Sequence, residues 1–96
     1  MPALSEYPNV YDTAVAILKA KGFQVWHDEV RDVFCAERAG WDFESESPCG
    51  LLGLVAIFEF EAPTEYREYW WRQTDAEPFI DLPARPERGF QPVWQK

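Results

Sequence analysis

Apolar residues recur at helical spacing near the start of the chain: Tyr11, Ala14, Val15 and Leu18 stand at i, i+3, i+4 and i+7, the mark of a helix with one buried face. Asn9 is placed to cap it, and Asp12 follows three residues later. Lys19 and Lys21 fall in its last turn, where cations favour the negative end of the helix dipole. Gly22 then offers a left-handed cap, with Phe23 set to touch Leu18. These signals predict a helix over 10–21.

The period then shortens to two. Phe23, Val25 and His27 alternate with Gln24, Trp26 and Asp28, and Val33, Phe34 and Cys35 resume a β-type run. Two antiparallel strands are expected, but no glycine and no Asn-Gly or Asp-Gly pair marks the turn near Glu29 and Val30, so the register stays open. Gly40, beside Trp41, reads as a bulge or bend before a further extended piece through Phe43.

The most apolar run, Leu51 to Phe58, is far shorter than the roughly 20 residues needed to span a bilayer. Ser47 as cap, Pro48 at the first helical position and Pro63 beyond the end favour a helix over about 48–60. A strand remains the alternative, because Phe58-Glu59-Phe60-Glu61 alternates and Gly50 and Gly53 weaken a helix. After Pro63, Tyr66, Tyr69 and Trp70 at i, i+3 and i+4, with Thr64 as cap, allow one or two helical turns, with a strand nearly as plausible. From Pro78 to Lys96 four prolines in nineteen residues predict an extended strap carrying Phe79, Ile80, Leu82, Phe90, Val93 and Trp94. So apolar a strap is expected to pack on its own domain or on a second copy.

The elements add up to a single small α+β domain: a globular part over 1–77, with an antiparallel sheet, an N-terminal helix and a buried central helix, and the strap over 78–96. Ninety-six residues with 47% hydrophobic and 17% aromatic content are too apolar for a disordered chain. With so many aromatics in so short a chain, a homodimer is expected.

Charge changes the picture of partners. The net charge is −8, and between Asp28 and Glu77 thirteen carboxylates face four arginines, while Pro78–Lys96 carries two against three basic residues. A field of that sign repels nucleic-acid phosphates and anionic lipid and attracts basic proteins or cationic ligands. The first functional expectation is therefore a noncatalytic acidic interaction protein, of inhibitor, immunity or adaptor type, that binds a basic partner. Trp26, Trp41, Trp70 and Trp71 are its candidate anchors.

The second expectation is a small-ligand site. Tyr66, Tyr69, Trp70 and Trp71 are interleaved with Glu65 and Glu68, and aromatic faces backed by carboxylates suit a cation or a sugar. A small domain also builds its core and subunit contacts from such side chains, and that reading outweighs the ligand site.

An enzyme is the third expectation. Cys35 with His27 is the sole Cys/His pairing, and a hairpin centred near residue 30 sets Cys35 opposite residues 24 to 26 and not His27. Glu59 and Glu61 form a carboxylate pair on a strand but diverge by about 200° on a helix. The segment 83–86, Pro-Ala-Arg-Pro, fits a PxxP core with Arg85 inside it, a four-residue match of low specificity. Two cysteines and one histidine do not supply a zinc site, and no cofactor motif is present. The opening decapeptide lacks the basic and apolar regions of a secretory signal, which leads to the expectation of a cytoplasmic protein with two reduced thiols, a Cys35–Cys49 disulfide being the alternative.

Overall fold

A computed structural model describes residues 2–73, 76 and 78–85. A 3-10 turn, Pro8–Val10, runs straight into helix α1, Tyr11–Ala20. Strands β1 (Gln24–Asp28), β2 (Val33–Arg38) and β3 (Trp41–Ser45) form an antiparallel sheet in the order β1-β2-β3, and helix α2 spans Pro48–Glu61. A second 3-10 turn, Phe79–Asp81, follows. The fold is a small α+β domain, as the periodicity predicts.

The ends of both helices are set by local chemistry. At the end of α1, Gly22 has φ +92°, the Phe23 N–H donates to the Leu18 carbonyl and the Gly22 N–H to that of Lys19, the paired bonds of a Schellman ending. The start of α1 departs from expectation. Asn9 lies inside the 3-10 turn, Val10 is the N-cap residue and no side chain caps the helix. Pro8, at the first position of that turn, carries the chain into helical geometry upstream of Asn9. For α2, Ser47 is the cap: its Oγ accepts from the Gly50 N–H at 2.9 Å and donates to Glu6 Oε2 at 2.8 Å. The helix reading of 48–60 is right and the strand alternative falls. The helix closes on Ala62 in the left-handed conformation, φ 46°.

The first hairpin joins Asp28 to Val33 through four residues. Asp28 Oδ1 accepts from the N–H groups of Val30 and Arg31, and Asp32 takes φ 54°, so aspartates do the work the missing glycine would have done. The second joins Arg38 to Trp41 through Ala39 and Gly40, both at positive φ (52° and 85°). That is a two-residue type I′ turn, whose twist suits a hairpin. Gly40 therefore closes a turn and is not a bulge.

Both helices lie on one face of the sheet. Val25, Ala36 and Phe43 share a cross-strand row and join Leu18, Phe23, Leu51 and Val55 in one core, flanked by Phe34, Trp41, Leu52, Leu54, Phe58 and Trp70. The opposite face carries the rows Trp26-Cys35-Glu44 and Gln24-Glu37-Asp42. No described helix of this protein packs across it. Among the described residues no helix is long and apolar enough to cross a membrane.

After Ala62 the chain makes turns, not the helix or strand the spacing allowed. The Trp70 N–H donates to the Arg67 carbonyl and the Arg72 N–H to that of Tyr69. Tyr69 itself sits at φ 58°. Of the strap, Pro78–Arg85 is described and its side chains are exposed. Phe90, Val93 and Trp94, and Pro86 of the Pro-Ala-Arg-Pro segment, lie outside the described residues.

Candidate functional site

The tryptophans sort into different environments, and this sorting locates the candidate site. Trp41 and Trp70 meet edge to face at 5.5 Å, and both pack against Phe58, at 5.1 and 6.0 Å. They extend the core toward the segment after α2. Trp71 lies against α2 near Ile57 and Phe60. Trp26 stands on the open sheet face, 46% exposed.

That face is acidic, and its charges are organised. Arg31, in the β1–β2 turn, reaches back over the sheet: Nε donates to Asp28 Oδ2 at 3.0 Å, and Nη1 and Nη2 donate to Glu44 Oε1 and Oε2 at 3.2 and 2.7 Å. The guanidinium holds the carboxyls of Asp28 and Glu44 below their ordinary range, chiefly through these hydrogen bonds. Glu37 accepts from the Gly40 N–H at 2.9 Å, which fixes its side chain beside the second turn. Among the described residues no cation pairs with Glu37 or Asp42. Trp26 thus shares its sheet face with Asp28, Glu37, Asp42 and Glu44, of which Asp28 and Glu44 are paired with Arg31.

Cys35 lies between Trp26 and Glu44 in this face and is nonetheless buried. Burial, reinforced by the Glu44 charge, pushes its thiol up. A thiol held in the protonated state by desolvation is a poor nucleophile. His27 points from the other face of the sheet, stacks on Phe34 with centroids 4.6 Å apart, and has Nε2 2.9 Å from Asp32 Oδ1. The structure does not bring Cys35 and His27 together: Cys35 pairs with Trp26, within the residues 24 to 26 that a hairpin centred near residue 30 sets opposite it.

The second candidate pair also separates. On α2, Glu59 receives Lys21 Nζ at 2.9 Å, tying the ends of the two helices, while Glu61 accepts from Gln73. No shared carboxylate site forms, as helical geometry requires.

The six aromatic and acidic residues between Glu65 and Trp71 do not form one cage. Tyr69 and Trp71 meet edge to face at 5.9 Å, and Arg72 lies over both rings, 4.3 Å from the Tyr69 centroid and 5.8 Å from that of Trp71. The chain's own cation therefore occupies that aromatic corner. Glu65 and Glu68, with Tyr69 and Trp70, border a shallow cleft of about 420 Å³ under the end of α2. Glu65, Tyr66 and Trp70 also border a cleft of about 490 Å³ with Trp41 and Asp42. Tyr66 is 73% exposed at its mouth.

No family model, curated protein or solved structure matches the chain. The site therefore has to be read from its own geometry. The sequence offers Trp26 as one of four anchors and alternation sets it on one face with Gln24 and Asp28; the strand pairing adds Glu37, Asp42 and Glu44 to that face. Arg31, which organises two of those carboxylates, went unnoticed because its role depends on the turn that carries it.

Proposed function

We propose that this protein is a noncatalytic acidic interaction protein that engages a basic protein partner through the open face of its sheet. What supports this reading is one observation: a half-exposed tryptophan, Trp26, on the same sheet face as Glu37, Asp42 and Glu44, a face that no described helix covers. Aromatic anchors inserted into a partner supply most of the energy of many interfaces. Matched charge around them speeds encounter and excludes wrong partners. Glu37 is held by the Gly40 N–H and Glu44 by Arg31, so these two side chains lose little entropy at binding.

The test is native mass spectrometry of the protein isolated from its own source. The expected species is a complex with a basic protein that dissociates as salt rises from about 0.1 M to about 1 M, where the Debye length falls from roughly 10 Å to roughly 3 Å. Trp26→Ala and Asp42→Lys are expected to lose that partner while keeping the fold. A partner indifferent to salt and to both substitutions would sink the reading, as would recovery of the protein without one.

A second reading rests on the cleft that Trp41, Tyr66 and Trp70 share with Asp42 and Glu65, a composition suited to a quaternary ammonium or amine. Its test is quenching of tryptophan fluorescence by tetramethylammonium, expected to disappear in Tyr66→Ala. The absence of saturable quenching in the parent protein would remove it.

A further inference from the structure

Helix α2 is apolar on two sides, and the fold covers one of them. Leu51 and Val55 are fully buried against the sheet and α1. A second stripe, Gly53, Ala56, Ile57 and Phe60, repeats the i, i+3, i+4, i+7 spacing on the outward side. All four are exposed, with Ile57 at 43% and Phe60 at 77%. Glu59, one position before Phe60, is turned away and held by Lys21. A helix apolar on more than one side belongs inside a larger assembly than the described residues build for it.

The stripe continues into a wide apolar groove of about 860 Å³, where Ile57 and Phe60 face Trp71 and Phe79. Ile57, Phe60, Trp71 and Phe79 are 43%, 77%, 48% and 84% exposed, so together they present apolar surface on the order of 500 Å². Monomers seldom leave contiguous patches above roughly 300–600 Å² open. A standard stable interface takes about 800 Å² from each partner, so this patch supplies the larger part of one.

We infer that this surface is a twofold interface between two copies of the chain, with the α2 helices packed antiparallel. The reason for choosing a second copy lies in the order of sizes along the stripe. Its small residues, Gly53 and Ala56, come first and its large ones, Ile57 and Phe60, come last. An isologous contact sets each patch against itself reversed, so antiparallel helices centred between positions 56 and 57 place Phe60 of each copy over Gly53 of the other. A Cβ added at Gly53 meets no atom within 4 Å, so the seat for that ring is open. The spacing fits as well, since Gly53 and Phe60 lie two helical turns, about 10 Å, apart. The stripe carries no charge, and the two charged residues that line the groove, Glu61 and Arg72, are of opposite sign, so a basic partner gains no net match here. The interface is independent of the acidic sheet face, and either proposal can fail without the other.

The experiment is sedimentation velocity on the full chain at micromolar concentration, with variants that exchange knob and seat. The parent protein is expected to run as a dimer. Gly53→Phe fills the seat and Phe60→Ala removes the knob, and each is expected to raise the dimer dissociation constant by at least about tenfold. The double variant Gly53→Phe/Phe60→Ala puts the knob where the seat was and is expected to recover the dimer, which a merely unfolded helix would not do. Trp26→Ala should leave association unchanged. A monomeric parent protein would overturn the inference, as would a dimer unaffected by both single substitutions. Failure of the double variant to recover would overturn the antiparallel pairing.

Discussion

Arg38 holds the end of α1 from the sheet: its Nη1 donates to the carbonyl oxygen of Lys21 at 2.7 Å. The same guanidinium lies 4.5 Å from the centroid of Phe23 and 5.7 Å from that of Phe58. One half-buried side chain thus satisfies a helix-end carbonyl, complements the dipole of α1 and covers two core rings. Arg38→Ala is expected to cost about 2–3 kcal/mol, since a charge-assisted bond contributes roughly 1.5–3 kcal/mol and the stacked stem is lost with it. Arg38→Lys should recover less than half, because an ammonium does not present a planar face to a ring. Urea unfolding of the three proteins measures this, and an Arg38→Ala protein within about 0.5 kcal/mol of the parent would contradict it.

Ala39 and Ala62 occupy left-handed backbone that glycine or asparagine takes more readily, at φ 52° and 46°. A left-handed residue with a Cβ carries strain of roughly 1–2 kcal/mol, which asparagine partly offsets through its own backbone hydrogen bonds. Ala39→Asn makes an Asn-Gly type I′ turn without loosening the unfolded chain, and should stabilise by about 1 kcal/mol, or roughly 4–8 °C in Tm for a domain of this size. Ala62→Gly relieves the same strain but adds freedom to the unfolded chain, so its gain should be smaller. Calorimetry that ranked the two the other way would show that the end of α2 is the more strained turn.

These turns also mark the limit of what the sequence makes legible. Gly22, Ser47, Pro48 and Pro63 act on their neighbours alone, so the end of α1 and the bounds of α2 can be read from the sequence. Ala39 gives no sign of its positive φ, because only the pairing of Arg38 with Trp41 forces it there. Asp28 reads as a strand residue and doubles as the acceptor that shapes the next turn. The same division governs the candidate site. Alternation puts Trp26 and Asp28 on one face, but Glu37, Asp42 and Glu44 join them only through the strand pairing, and the fate of Trp70, Tyr69 and Trp71 follows from turns after Ala62 that their helical spacing misrepresents.

The Arg31 network predicts a pH dependence with a definite sign. Folding lowers the pKa of Asp28 from its ordinary 3.8 and that of Glu44 from 4.5, in both cases chiefly through hydrogen bonds from Arg31. A carboxylate lowered on folding stabilises fully above its unfolded value and loses that contribution as pH falls through the folded one. The network should therefore be intact above about pH 5 and lost progressively in stronger acid. Arg31→Ala should move both carboxyl midpoints up toward 3.8 and 4.5, as followed by carboxyl-carbon NMR. High salt should narrow the difference, because these groups are exposed.

The two thiols should differ in reactivity. Cys35 is buried with its pKa raised, whereas Cys49 is half-buried in the first turn of α2. Alkylation follows the thiolate and its access, so iodoacetamide at mildly alkaline pH should modify Cys49 first and Cys35 only after denaturant is added. Equal rates in the folded chain, read by peptide mass mapping, would mean that the row of Trp26, Cys35 and Glu44 opens far more readily than its packing implies.

Trp70 decides between the two roles open to the aromatic segment. Its ring contacts Trp41 and Phe58 and is half-buried, while Tyr66, four residues earlier, projects from the surface. Removing a packed tryptophan ring costs roughly 3–5 kcal/mol in a full core, so a half-buried one should cost about 2 kcal/mol. Tyr66→Ala should stay within about 0.5 kcal/mol of the parent. Unfolding of both variants in urea, with near-ultraviolet circular dichroism to follow the Trp41–Trp70 pair, separates the outcomes. If Trp70→Ala keeps full stability, its ring is spare for a ligand and the cleft beside Trp41 gains weight as a binding site. If it destabilises as expected, Trp70 belongs to the core, and recognition is left to the exposed aromatics, Trp26 on the sheet, Phe60 on α2 and Tyr66 beyond it among them.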